Sequence, residues 1–124
     1  MKQLAPSILS ADFICLGEQL KQLQKLCIHY LHIDVMDGMF VPSISFGMPV
    51  IASLRKHTDM FFDVHLMIEE PIRYVNALRQ AGADGLTVHA EACADLPGTI
   101  AAIRESGAKP AVCLSPKTPL SKLD

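Results

Sequence analysis

Apolar and polar residues alternate through "YLHIDV" (30–35) and "FFDVHLM" (61–67), the period of two that predicts strands with two unlike faces. The apolar runs "LAPSIL" (4–9), "GLTVHA" (85–90) and "PAVCLS" (110–115) predict three more strands. Between them the pattern predicts helices over Asp12 to Leu26, about Pro49 to Lys56, Pro71 to Ala81 and Leu96 to Glu105. Pro71 suits a first helical turn and Gly82 a stop. Ile72, Val75 and Leu78, three apart, predict that helix's buried stripe, with Arg73, Asn76 and Arg79 in solvent.

Strand and helix in strict alternation, joined by short turns, predict parallel strands with right-handed crossovers. "QAGADGLTVHAE" (80–91) and "ESGAKPAVCLSP" (105–116) repeat the order helix end, small-residue turn, strand, one βα unit apart. An open dinucleotide-binding sheet calls for GxGxxG after its first strand, and "SILSADFICLG" has none. Polar residues instead recur near the C-terminal ends of the strands: Ser7, His32 and Asp34, His65, His89. That rim is where a (β/α)8 barrel builds its chemistry. About five parallel strands and four helices then read as one α/β domain over 1–124, a partial barrel holding strands 1–5 of the usual eight.

Composition narrows the partners. Half of the 124 residues are hydrophobic, 19% are charged, and the net charge is −2. This is a globular composition with no basic footprint for nucleic acid and no polybasic membrane patch. The start, "MKQLAPSILSADF", has neither a signal-peptide core nor a spanning run, so a cytoplasmic location is expected. Cys15, Cys27, Cys93 and Cys113 show no CxxC spacing and are expected as free, mostly buried thiols.

Alternation puts His32, Asp34 and Met36 on one side of the second strand, and Asp63, His65 and Met67 on one side of the third. If the two strands are neighbours, His32, Asp34 and His65 converge. Two imidazoles and a carboxylate suit Zn²⁺, Fe²⁺, Co²⁺ or Mn²⁺ rather than Ca²⁺ or Mg²⁺. The same three groups are equally readable as a hydrogen-bonded polar set, since unpaired polar groups are costly there. Ser7 is placed to contact a ligand or to bond locally, and Met36 and Met67 to line a site or to fill space. His89 and Glu91 form a further i, i+2 polar pair that could support the site. Asp37–Gly38 reads as a turn, and His29 and His57 as surface residues.

The segments "LAPSILSADF", "LHIDVMDGMFVPSISFG", "DVHLMIEEPIRYV", "AGADGLTVHAEA" and "LSPKTPL" together resemble the ribulose-phosphate 3-epimerases, in order and spacing, along essentially the whole chain. The resemblance implies a TIM barrel and an isomerase of the pentose phosphate pathway. Such an enzyme interconverts D-ribulose 5-phosphate and D-xylulose 5-phosphate by proton transfer at C3. It implies one divalent metal ion (Fe²⁺, Zn²⁺, Co²⁺ or Mn²⁺) on His32, Asp34 and His65, with Asp34 as an acid–base residue. It also implies a small sugar phosphate contacting Ser7, His65, Met36 and Met67. The family's second catalytic aspartate and its phosphate-binding turns fall on later strands. The alternative expectation is therefore an inactive half-barrel that binds or oligomerises, and a homo-oligomer is expected through its open strand edges.

Overall fold

A computed structural model describes residues 2–123. Four strands form one parallel sheet in the order β1-β2-β3-β4: Tyr30–Met36, Phe61–Met67, Gly85–His89 and Lys109–Cys113. The helices are α1 (Leu16–Lys25), α2 (Met48–Arg55), α3 (Val75–Ala81) and α4 (Leu96–Glu105). A doubly wound sheet reverses its strand order at a switch point. Here spatial order follows chain order without reversal, as in part of a (β/α)8 barrel.

The two faces of the sheet differ as the alternation predicts. Leu31, Ile33 and Val35 of β1, with Phe62, Val64 and Leu66 of β2, are 0–8% exposed and form the core against the helices. Each such side chain contributes on the order of 1.5–3 kcal/mol of burial. The intervening residues, His32, Asp34, Asp63 and His65 among them, are only half-buried on the opposite face.

Three expectations shift, each for a local reason. Residues 4–9 do not join the ladder as a strand. Pro6 has no N–H to give, and its carbonyl accepts from His32 N at 2.9 Å before the chain turns into a 3₁₀ helix at Ile8–Ser10. Ser7 keeps one parallel bridge to His32, so the first segment lies alongside β1. The first helix starts at Leu16 rather than near Asp12, because the Asp12 side chain accepts from Ile14 N in a local turn. Ile72 is exposed: residues 71–74 are 3₁₀, where side chains three apart eclipse, so Pro71 and Tyr74 face inward and Val75 and Leu78 continue the stripe. The cysteines are free, as expected, but none is fully buried, and Cys15 and Cys27 are exposed.

The repeat at 80–91 and 105–116 is a repeated helix-to-strand turn. Gly82 (φ 128°) and Gly107 (φ 85°) end α3 and α4, and Ala83 and Ala108 behind them are buried. At the other end of the sheet, each loop is stapled to the next by an acidic side chain. Asp37, after β1, accepts from Glu69 N; Glu70, after β2, accepts from Ala94 N; Glu91, after β3, accepts from Ser115 N. This lacing holds the loops around the polar face.

Arg55 closes the opposite end. Its guanidinium donates to Gly82 O, Thr58 O, Met60 O and Asp84 Oδ2, and lies 3.9 Å over the Phe62 ring. Arg55→Ala leaves three carbonyls and a carboxylate without that donor, and is expected to lower stability by about 2 kcal/mol or more. Arg55→Lys recovers only part of the loss, because a point charge cannot fill a planar fork. Urea unfolding of the two variants checks both outcomes.

Candidate functional site

The polar face owes its geometry to the β1–β2 register, which pairs His32 with Asp63, Asp34 with His65 and Met36 with Met67. Neighbouring parallel strands lie about 4.8 Å apart, so paired side chains on one face are within reach of each other. Asp34 is the hub. Its Oδ1 stands 3.1 Å from His32 Nε2 and 3.1 Å from His65 Nδ1, and its Oδ2 accepts from the Ser7 hydroxyl at 2.5 Å. Ser7 reaches it because the bridge to His32 carries the N-terminal segment onto the edge of β1.

Two further residues complete the cluster. Asp63 Oδ2 lies 2.9 Å from His32 Nδ1, and His89 Nε2 lies 2.9 Å from His65 Nε2. Sequence reasoning put Asp63 on the correct face without assigning it a task; the signal was the register that sets it opposite His32. Cys113 was likewise unassigned, and its Sγ lies 3.5 Å from His65 Nε2. Phe40, from the loop after β1, packs against the His89 ring with centroids 4.9 Å apart. Met36 and Met67 sit side by side at the strand ends, next in line after Asp34 and His65 on the same half-buried face. His29 and His57 are exposed and lie outside the cluster.

The electrostatics follow from these contacts. The Asp63 hydrogen bond raises the His32 pKa above its usual 6.5; burial opposes this, and the negative charges of Asp34 and Asp63 add to the rise. Burial pulls the Asp34 carboxyl upward, but the Ser7 hydroxyl and the two imidazoles outweigh it and bring the pKa below its usual 3.8. Burial, then the neighbouring His65, lowers the His89 pKa. Asp34 is therefore a charged carboxylate at neutral pH, held between an imidazole of each strand and a hydroxyl.

Two groups of side chains bring ligand atoms within 4.8 Å of one another: His32, Asp34 and His65, and His65, His89 and Cys113. In the first, the separations of 3.1 Å are close to the ~3.3 Å between neighbouring ligand atoms around a tetrahedral ion bound at 2.0–2.1 Å. Its N, N, O donors also suit a first-row transition metal. In the second, the two imidazole nitrogens are 2.9 Å apart, further below that same ~3.3 Å spacing. The described residues contain no helix long and apolar enough to cross a membrane.

Residues 3–124 match the ribulose-phosphate 3 epimerase family. A Bacillus subtilis protein named ribulose-phosphate 3-epimerase is 52% identical over 124 residues, covering 100% of this chain and 57% of that protein. Proteins of the same name from Rhodobacter capsulatus (44% identical) and, as a cytoplasmic isoform, from rice (43%) each cover 98% of this chain and 54% of their own length. The chain thus spans about half the length of the curated relatives it matches. Among solved structures, a 7,8-dihydropteroate synthase from Vibrio fischeri superposes with a TM-score of 0.57 over 97% of this chain and 48% of that one, at 13% identity, a likeness of fold alone. The match takes in all four strands, the loops laced around their ends and every residue of the Asp34 cluster, and the chain belongs to the ribulose-phosphate 3-epimerase family.

Proposed function

We propose that His32, Asp34 and His65 hold one divalent transition metal ion (Zn²⁺, Fe²⁺, Co²⁺ or Mn²⁺) and that Asp34 takes and returns the C3 proton on one face of the sugar phosphate. In this interconversion of D-ribulose 5-phosphate and D-xylulose 5-phosphate, the opposite face is served by the family's second aspartate on a later strand. The observation that carries this reading is the convergence of His32 Nε2 and His65 Nδ1 on one oxygen of Asp34, each at 3.1 Å. The names of the relatives supply the substrate. A metal bound there offsets the negative charge that develops on the substrate oxygens as the proton leaves.

The chain's own residues do the rest. Asp34 is ionised at neutral pH, as a base must be before it takes a proton. The Ser7 hydroxyl fixes the carboxylate's second oxygen, so the group has one orientation. Asp63 fixes the His32 ring through Nδ1, leaving Nε2 turned to the metal position. Met36 and Met67, paired at the strand ends, supply an apolar wall beside the carboxylate, and Ser7 and His65, both in contact with Asp34, would offer polar contacts to the sugar phosphate. On this reading the chain acts among the pentose phosphate interconversions, and the name of the rice relative, a cytoplasmic isoform, supports a cytoplasmic location.

Deuterium exchange tests the proton-transfer role. The Co²⁺- or Zn²⁺-loaded chain, incubated with D-ribulose 5-phosphate in D₂O, is expected to incorporate deuterium at C3, read by NMR. Asp34→Asn should slow exchange by a factor on the order of 10²–10⁴. Exchange that survives this substitution removes Asp34 from the role. Calorimetric titration with Co²⁺ tests the ligand set, since His32→Ala and His65→Ala should each abolish tight binding.

Metal removal has a signed pH dependence. In the chelated chain, His32 keeps its proton above pH 6.5 because Asp63 and Asp34 favour its charged form. Above 6.5 the folded state then binds more protons than the unfolded one, so stability is full below 6.5 and falls as pH rises through the raised folded value. Asp63→Asn flattens that slope. Metal binding needs the neutral ring, so the stabilisation added by Zn²⁺ grows over the same window. Urea midpoints at about pH 6 and 8.5, with chelator and with Zn²⁺, measure both trends.

A further inference from the structure

The His65 and His89 rings meet in an arrangement that the ligand role of His65 does not by itself require. Their Nε2 atoms are 2.9 Å apart, their centroids 5.0 Å apart and their planes within 27°. At that spacing the rings lie nearly coplanar and edge to edge, the arrangement of an N–H···N hydrogen bond. One proton lies between the two nitrogens, and which ring owns it decides the tautomer of both.

We infer that His89 and Glu91 form a relay that fixes the proton of His65 on Nε2 and so leaves its Nδ1 lone pair free for the metal ion. This deepens the metal reading above and rests on it. If His89 instead donated from Nε2, the proton of neutral His65 would sit on Nδ1, facing Asp34 Oδ1 and blocking the ligand position. With a cation held between Asp34 and His65, the carboxylate no longer draws the His65 proton to Nδ1, and the far side of His89 decides between the two. Its Nδ1 is buried without a hydrogen-bond partner, and the nearest acidic oxygen, Glu91 Oε2, stands 3.5 Å away, an ion-pair distance lacking hydrogen-bond geometry. A lone pair on Nδ1 would face a negative charge, whereas an N–H there is favoured by that charge. A carboxylate accepts only, so Glu91 draws the His89 proton to Nδ1 and turns Nε2 into the acceptor that His65 needs.

Glu91 is built to stay charged. The Thr118 hydroxyl, with the Ser115 N–H and the nearby His89, outweighs burial and holds its pKa down to about 2, and the Ser115 N–H donates to Oε1 at 2.7 Å, leaving Oε2 for His89. Cys113 does not compete for the His65 nitrogen. Burial, then the Glu91 charge, pushes its thiol up to about 11, so it stays protonated, and its Sγ lies 3.5 Å from Val88 O, where it donates. Phe40 covers His89, keeping water from offering alternative partners. The relay thus runs from the loop after β4, through Glu91 and His89, to the metal-facing edge of β2. Glu91 and His89 are positioning residues, since they act through His65.

The test uses the full chain with Zn²⁺ as probe, reading affinity by competition with a chromophoric chelator and imidazole tautomers by long-range ¹⁵N–¹H NMR. Expected results are His65 protonated on Nε2 and His89 on Nδ1 in the Zn²⁺-loaded wild type, with Zn²⁺ affinity about 10–100-fold lower in His89→Phe. His89→Gln, whose carbonyl accepts from His65, recovers much of that loss, and Glu91→Gln shifts the tautomer balance of His89. His89 protonated on Nε2 in the loaded wild type overturns the relay, and this measurement does not depend on any variant folding. Unchanged affinity in His89→Phe, with binding still abolished by His32→Ala, overturns the relay while the metal site stands. Wild-type binding that His32→Ala leaves untouched overturns the metal reading itself.

Discussion

The parallel pairing of β1 with β2, residue for residue from Tyr30 against Phe61 to Met36 against Met67, is the constraint on which the site depends. A slip of one residue would turn every side chain to the other face. A slip of β1 would carry His32 and Asp34 into the aliphatic core, away from His65, and bring Leu31, Ile33 and Val35 out to the open side. The fully buried aliphatic face makes that slip prohibitive, because several side chains would lose their burial at once. Core packing therefore aligns the polar groups on the opposite face, although it touches none of them.

Once aligned, the polar groups divide their work through shared hydrogen bonds. Asp34 takes three partners on two oxygens, and each imidazole on it is held at its other nitrogen, His32 by Asp63 and His65 by His89. A ligand with one nitrogen committed has a fixed ring plane and a fixed tautomer, which is how outer contacts tune a metal position. The acidic staples between successive loops serve the same end at larger scale. Glu91 belongs to both systems: one oxygen holds the loop after β4, and the other faces the ring that contacts His65.

Much of this was legible in the chain. Strand faces with a period of two are enforced locally by the backbone, so β2 falls at the expected residues and β1 within one of them. Helix α4 also matches its expected span, because Asp95 caps it at Gly98 N and a proline sits in its first turn. Reading failed where side chains compete with the backbone. Pro6 and Ser7 interrupt the first strand, Asp12 delays the first helix, and a 3₁₀ turn at 71–74 rotates Ile72 out of the core. Such contests are settled by a few hydrogen bonds at particular angles, which periodicity does not carry.

The amino-acid order by itself determined which residues share a face, because alternation is a property of a single strand, and it carried the family pattern in contiguous segments. Only the tertiary structure decided which of those faces meet. The register put Asp63 opposite His32, the sheet order brought His89 and Cys113 beside His65, and the lacing of the loops set Glu91 against His89. These contacts join residues 24 to 48 positions apart, apart from Glu91 and His89, two apart on the chain, and they exist only after strands pair across their crossovers. Local preference names the donors and acceptors; the folded sheet alone matches each with its partner.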